Sequence, residues 1–336
     1  MQSARNTTAF RSIFDAGELK SELENSGVKP SMIPYVWKQV IQNPDAQFDQ
    51  IPSLPSAAYP LLTSKFKTLT SSVHKNGALV EAVIMRYDSR LGKYDGKPRP
   101  GGPRSTLCVS SQIVEQLVHA SRISPIRNIV FMGMGEPLNN YGSLVEAIHV
   151  MTGSPFHLSP KKITVSTVGI IHAIKKLHSD LPGLNLAVSL HAPVQEIRCL
   201  IMPAARAFPL VKLMDTLQEY QNNTQQKIFI EYIMLDGVND EEQHAHQLGK
   251  LLETFQVVIN LIPFNPIGIL SKFSTSNENK VTSFQNILRG TYGIRTTVRK
   301  EMGQDISGAC GQLVVNLPNK RSTENTQTDI EDLQVR

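Results

Sequence analysis

Side chains able to do chemistry recur at one kind of place in this chain, directly after short apolar runs. Gly133-Met134-Gly135-Glu136-Pro137 follows RNIVFM (127–132), Ser166-Thr167-Val168-Gly169 closes KITVS (162–166), and Ser189-Leu190-His191-Ala192-Pro193 closes LNLAVSL (184–190). Asp236-Gly237, Pro263-Phe264-Asn265-Pro266 and Met302-Gly303-Gln304-Asp305 follow KIFIEYIML (227–235), VVINLI (257–262) and IRTTVRK (294–300). The set holds a glutamate, two serines, a histidine, aspartates and an asparagine, which could hydrogen-bond an amino group, a carboxylate, ribose hydroxyls and an adenine edge. Each also has a plain structural use: a tight turn at Gly133 and Gly135, helix caps at Ser166 and Ser189, an Asn-Pro turn at Asn265, a hydrogen-bonded core histidine at His191. The same bias at six successive run ends favours the functional use. Gly133 and Gly135 do not make a dinucleotide fingerprint, because position 138 is leucine where the third glycine belongs.

These runs, with an earlier one at 106–110 (TLCVS), alternate with segments of helical period at 143–152, 170–179, 210–220, 240–253 and 280–289. Such βα alternation predicts a parallel sheet or barrel, whose functional groups gather at the carboxyl ends of the strands. Residues 1–76 read as a small helical domain, since Ile13, Phe14, Leu19 and Leu23, then Ile33, Val36, Trp37, Val40 and Ile41, recur at roughly helical spacing. Residues 77–105 read as an extended segment and a linker rich in Gly, Pro and charge, 106–317 as the α/β unit, and 318–336 as a polar, disordered tail.

With 336 residues and 40% apolar content the chain can bury a large core, which excludes a peptide or a mainly disordered protein. The 34 Lys and Arg against 29 Asp and Glu give +5, a mild lean toward polyanions such as RNA. Three cysteines, Cys108, Cys199 and Cys310, are too few and too far apart for a secreted disulfide framework and point to a reducing compartment. No run reaches membrane-spanning length, so a cytoplasmic protein without membrane partners is expected; plastid or mitochondrial import stays open, because Met1–Arg11 carries no acid.

FMGMGEPLNN (131–140), ITVSTVGI (163–170), LAVSLHAP (186–193), EYIMLDGVND (231–240), NLIPFNP (260–266) and TVRKEMGQDISGACGQL (297–313) together resemble the RlmN/Cfr family of radical S-adenosylmethionine RNA methyltransferases. The resemblance is closest to the RlmN type, which methylates adenine C2 in ribosomal and transfer RNA, and it covers roughly residues 10–317. It implies an open (β/α)6 partial barrel of radical SAM type preceded by a small helical domain. It further implies that Gly135, Glu136, Ser166, Ser189, Leu190, His191 and Asn265 hold S-adenosylmethionine, and that Cys310 carries the methyl group. Cys108 would pair with Cys310 as a disulfide to release product, and Glu81 would accept a proton; Cys199 matches nothing functional. Intact members also draw on a reductase.

One departure bears on all of this. Family members continue from CVSSQ into a C-x-x-x-C-x-x-C loop whose thiolates hold a [4Fe-4S] cluster, whereas this chain passes from Gln112 directly to Ile113. The run at 106–110, expected to end as a strand near Ser111, would leave almost no residues for the turn into the next helix, where βα connections usually take about two to six. No other set of three thiolates exists, and a zinc site from Cys108, Cys310 and His191 lacks the close ligand pairs such sites use. Two functions follow as expectations: an adenine-C2 RNA methyltransferase by lineage, and, for these 336 residues, a catalytically inactive truncated form that at most binds RNA or S-adenosylmethionine.

Overall fold

The computed structural model describes residues 10–43, 45, 47–70, 110–123, 125–132, 135–264 and 272–299. The first part is helical and is closed by two short parallel strands, β1 (Arg11–Ser12) and β2 (Phe66–Lys67), that bracket α1 (Ala16–Asn25), α2 (Ile33–Gln42) and α3 (Ala58–Lys65). Ile13 and Phe14, expected on a helix, instead precede α1, because Asp15 caps it by accepting from the Glu18 N–H at 3.1 Å. Phe14 and Leu19 thereby occupy the positions flanking the cap that commonly pack together, and both are fully buried. The Trp37 indole N–H, buried under α2, donates to the Ile13 carbonyl at 2.8 Å.

Helix α4 (Ser110–Ile123) joins this part to the rest. Its Glu115 is fully buried, and Oε1 accepts from the Ser12 hydroxyl and from the Thr70 N–H and hydroxyl, the latter two at 2.9 Å. The expected strand end near Ser111 is corrected here: Ser110, Ser111 and Gln112 form the first turn of α4, and 106–109 lie outside the described residues. With no loop between the run and the helix, small hydroxyl residues favoured at helix starts wind onto the helix.

Beyond α4, six parallel strands lie in space in the order of their sequence: β3 (Ile129–Phe131), β4 (Ile163–Thr167), β5 (Asn185–Ser189), β6 (Ile228–Met234), β7 (Val257–Pro263) and β8 (Arg295–Val298). Between them run α5 (Tyr141–Thr152), α6 (Ile171–Asp180), α7 (Gln195–Ile201), α8 (Leu210–Thr224), α9 (Glu242–Leu251) and α10 (Glu278–Gly290); α7 was not expected. Sequential parallel order requires crossovers of one hand, which the helices supply, and α6 packs on α8 as α9 does on α10. The strands are continuous apolar runs because one face is covered by helices and the other is also largely buried. Tyr232 marks the helix side, its ring 5.2 Å from that of Phe284 on α10, so Glu231, one residue before it, and Phe229, three before it, face away from the helices. Among the described residues no helix is long and apolar enough to cross a membrane.

The α9–β8 packing depends on a missing side chain. A Cβ on Gly249 would fall 2.3 to 2.5 Å from the ring of Tyr292, whose hydroxyl also meets His246 Nδ1 at 3.2 Å. Gly249→Ala gains about 1 kcal/mol of helix propensity but forces the ring aside at a cost of about 1–3 kcal/mol. Urea unfolding should therefore find the single variant less stable, while in a Tyr292→Ala background the same substitution should stabilise. Equal effects in both backgrounds would refute the steric account.

Candidate functional site

All six strands point the same way, so their carboxyl ends form one edge, and the register shows which side chains share it. Thr167 pairs with Val188, Ser189 with Glu231, Glu231 with Asn260, and Asn260 with Thr297. Partners in register project on the same face, so Ser189, Glu231, Asn260 and Thr297 form one row across β5 to β8 on the face away from the helices. Ser166 pairs with Ala187, placing it on that face one pleat further from the edge. Ser166, Ser189 and Glu231 are buried.

Glu136 organises the β3–β4 side. It ends the β3 loop in extended conformation and caps the turn Pro137–Asn140, with Oε1 accepting from the Leu138 N–H at 2.9 Å. Its Oε2 reaches across to accept from the Val168 N–H at 2.7 Å, so one carboxylate ties the end of β3 to the end of β4. Burial pushes its pKa up to about 7, against the opposing pull of the Val168 and Leu138 N–H groups and the Thr167 hydroxyl. Gly135, at φ +86°, supplies the bend that aims the carboxylate. Gly169 is required for space: at φ +107°, a Cβ there would lie 2.9 Å from Leu213. Behind this turn, fully buried Arg198 donates to the Val168 and Phe208 carbonyls.

The β5–β6 side is built on His191. Strand β6 extends past β5, and the Glu231 carbonyl accepts from the N–H groups of both Leu190 and His191, at 3.1 and 3.3 Å. His191 sits at φ +58°, a left-handed conformation unfavourable for a residue with a Cβ, and is held there by its neighbours. Its Nδ1 accepts from the Ile233 N–H at 3.1 Å, and its carbonyl accepts from Asn239 Nδ2 at 2.7 Å. Burial, aided by the charge of Arg198, pushes its pKa down to about 3. The ring is therefore neutral at physiological pH and, with Nδ1 accepting, carries its proton on Nε2.

Of the residues expected at this edge, Gly135, Glu136, Ser166, Ser189, Leu190 and His191 lie at the ends of β3, β4 and β5; the bonds just given hold Glu136, Leu190 and His191, and Ser166 and Ser189 share a face by register. Leu190 is fully buried and contributes its backbone. Asn265, Cys108, Cys310 and Glu81 lie outside the described residues. Asp236 does not serve the edge: it meets Lys280 Nζ at 3.1 Å, a cation that also meets Asp240 and Glu241 at 3.3 and 2.9 Å. Cys199 is half-buried on α7 and accepts from Gln195 Nε2 at 3.1 Å. Sequence reasoning missed Glu231, Asn239 and Arg198. For Glu231 the signal was there, an acid in the middle of an otherwise apolar strand; the other two had none beyond polarity.

Comparison with known proteins gives consistent relatives. The chain is 36% identical to the probable dual-specificity RNA methyltransferase RlmN 2 of Protochlamydia amoebophila, over 72% of this chain and 72% of that protein. It is 34% identical to the ribosomal RNA large subunit methyltransferase N of Nitrosopumilus maritimus, over 71% of this chain and 74% of that protein. Among solved structures, a radical SAM methyltransferase from Sphaerobacter thermophilus superposes with a TM-score of 0.75 at 27% identity, covering 90% of this chain and 98% of that one. No family model matches the chain.

The Glu136 carboxyl makes a pH prediction whose sign is fixed. Its folded pKa is raised above the unfolded value, so the folded state holds the proton more tightly, and stability from this group is lost as pH rises from about 4.5 to about 7. Unfolding midpoints measured between pH 5 and 8 should fall more steeply for the wild type than for Glu136→Gln, which cannot ionise. Parallel profiles would show that Glu136 is not held protonated by burial.

Proposed function

The chain belongs to the RlmN family of radical S-adenosylmethionine RNA methyltransferases, and from that premise we propose a divided function. It binds S-adenosylmethionine along the edge formed by Gly135, Glu136, Ser166, Ser189, Leu190 and His191, with Asn265 assigned to the same ligand by family pattern alone, and binds RNA beside it, without methylating adenine. The residues present fit the nucleoside part of that cofactor. Two buried serine hydroxyls share one face, able to donate to and accept from ribose hydroxyls or an amino group. The RNA, ribosomal or transfer, is supported by the relatives' activity and by the +5 balance.

A [4Fe-4S] cluster does not fit. Helix α4 runs unbroken from Ser110 to Ile123 through Gln112 and Ile113, where the family's C-x-x-x-C-x-x-C loop belongs, and this is the observation that carries the proposal. Three cysteines remain in the whole chain; Cys199 is engaged on α7, and among the described residues no group of three His, Cys, Asp or Glu could hold a metal.

What the remaining residues can do stops short of the base. Cys310, the methyl carrier by family pattern, can act as a thiolate: its sulfur attacks the methyl carbon, the methyl–sulfonium bond breaks, and S-adenosylhomocysteine leaves. Adenine C2 is electron-poor and does not attack a methyl donor, so onward transfer needs radical chemistry for which this chain holds no electron source. Cys108 as resolving thiol and Glu81 as proton acceptor are then retained without a reaction to complete.

Anaerobic reconstitution with iron, sulfide and reductant tests this directly. The chain should take up no stoichiometric iron and should form neither 5′-deoxyadenosine nor methyladenosine on ribosomal or transfer RNA. Inserting a C-x-x-x-C-x-x-C loop between Gln112 and Ile113, which unwinds the first turn of α4, should restore all three. Methyladenosine made by the unmodified chain would overturn the proposal, as would a repaired chain that binds the cluster and still fails to turn over with these RNAs.

A further inference from the structure

Glu231 is a buried carboxyl that no step above uses. Its backbone carbonyl holds Leu190 and His191, while its side chain projects from β6 on the face away from the helices, directly beside Ser189 in the register. Paired positions on neighbouring strands lie about 4.8 Å apart, so a ligand group touching the Ser189 hydroxyl lies within reach of the Glu231 carboxyl.

The carboxyl is oriented from one side only. Thr297 Oγ1 donates to Asn260 Oδ1, which turns the amide so that Asn260 Nδ2 donates to Glu231 Oε1 at 2.8 Å. This relay crosses three strands in register, Thr297 to Asn260 to Glu231, and fixes the plane of the carboxyl. Oε2 has no hydrogen-bond partner among the described residues. The next row inward, Ala187, Phe229 and Val258, is apolar. With Oε1 taken by Asn260 Nδ2, Oε2 is the oxygen on which a donor from a ligand can be accepted.

We propose that Glu231 is a ribose-binding residue of the S-adenosylmethionine site, its Oε2 accepting from a ribose hydroxyl alongside Ser189, with Asn260 and Thr297 as positioning residues. A hydroxyl, which both donates and accepts, beside a carboxyl oxygen, which accepts, matches a vicinal diol. The amino edge of adenine offers one donor where a diol offers two, and a purine riboside without the amino group separates the two contacts. Burial holds the Glu231 pKa above the ordinary carboxylate range, opposed by the Asn260 bond and the charge of Arg299. This inference rests on the reading that the edge binds S-adenosylmethionine.

The test is calorimetric titration of the full chain with 5′-methylthioadenosine, its 2′- and 3′-deoxy counterparts, and the matching purine riboside that lacks the amino group. A hydrogen bond to a charged group predicts that Glu231→Ala weakens 5′-methylthioadenosine by about tenfold or more. The variant should bind the deoxy counterpart that lacks the contacted hydroxyl no worse than the wild type does. Asn260→Leu should weaken the parent nucleoside less, again with no effect on that counterpart. If the wild type binds no nucleoside, the site reading fails and this inference with it. If the wild type binds but Glu231→Ala weakens all ligands equally, or loses its effect only on the purine riboside, ribose recognition by Glu231 is refuted while the site reading stands. Circular dichroism and unfolding of Glu231→Gln, which keeps the Asn260 neighbour, guard against a folding defect: a folded Glu231→Gln that matches wild-type discrimination would also refute the role.

Discussion

The carboxyl edge depends on β6 being longer than β5. Because β6 runs on past Ser189, its Glu231 carbonyl and Ile233 N–H are available to the chain as it leaves β5, and they take the backbone of Leu190 and His191 and the ring of His191. Asn239 then closes the junction from the other side. It is fully buried, with Nδ2 donating to the His191 and Ile233 carbonyls, Oδ1 accepting from the Leu235 N–H, and its own carbonyl accepting from the Tyr232 hydroxyl. Every polar atom of that side chain is satisfied within one turn, which is what allows a non-glycine residue to persist at φ +58°.

The same junction decides the charge of the site. A histidine whose Nδ1 is already an acceptor cannot protonate without breaking that bond, so His191 is neutral for a geometric reason that burial reinforces. Glu136 carries the opposite tendency: two N–H donors favour its anion, yet burial outweighs them and brings it close to half-ionised at neutral pH. Lys280 is offset by three acids at its own end of β6. The edge thus presents carboxyl and hydroxyl acceptors, with Arg198 acting on His191 and Arg299 on Glu231 as its positive charges.

Much of this was legible in the sequence, for identifiable reasons. Parallel strands buried on both faces read as unbroken apolar runs, so five helices and the strands β3 to β8 stood where the pattern placed them. The polar residues after each run were conspicuous because the runs were so apolar. What escaped notice was non-local. The two-residue strands β1 and β2 exist only because residues more than fifty positions apart pair, and no local pattern carries that. Ile13 and Phe14 fit a helical spacing equally well on either side of the Asp15 cap. The polar row of Glu231, Asn260 and Thr297 depends on register, which sequence spacing alone does not supply.

Packing also fixes where α4 lies, whatever its first turn is made of. Helix α4 is held at Glu115, whose carboxylate takes the Ser12 hydroxyl and the Thr70 N–H and hydroxyl from the helical part of the chain. Sliding the helix by even one residue would rotate Glu115 by about 100° and strand a buried carboxylate, a large penalty. Winding Ser110, Ser111 and Gln112 onto the helix involves only small or flexible polar residues. The position of α4 is therefore set at Glu115 rather than at its first turn, and β3 follows the far end of α4 to lie beside β4.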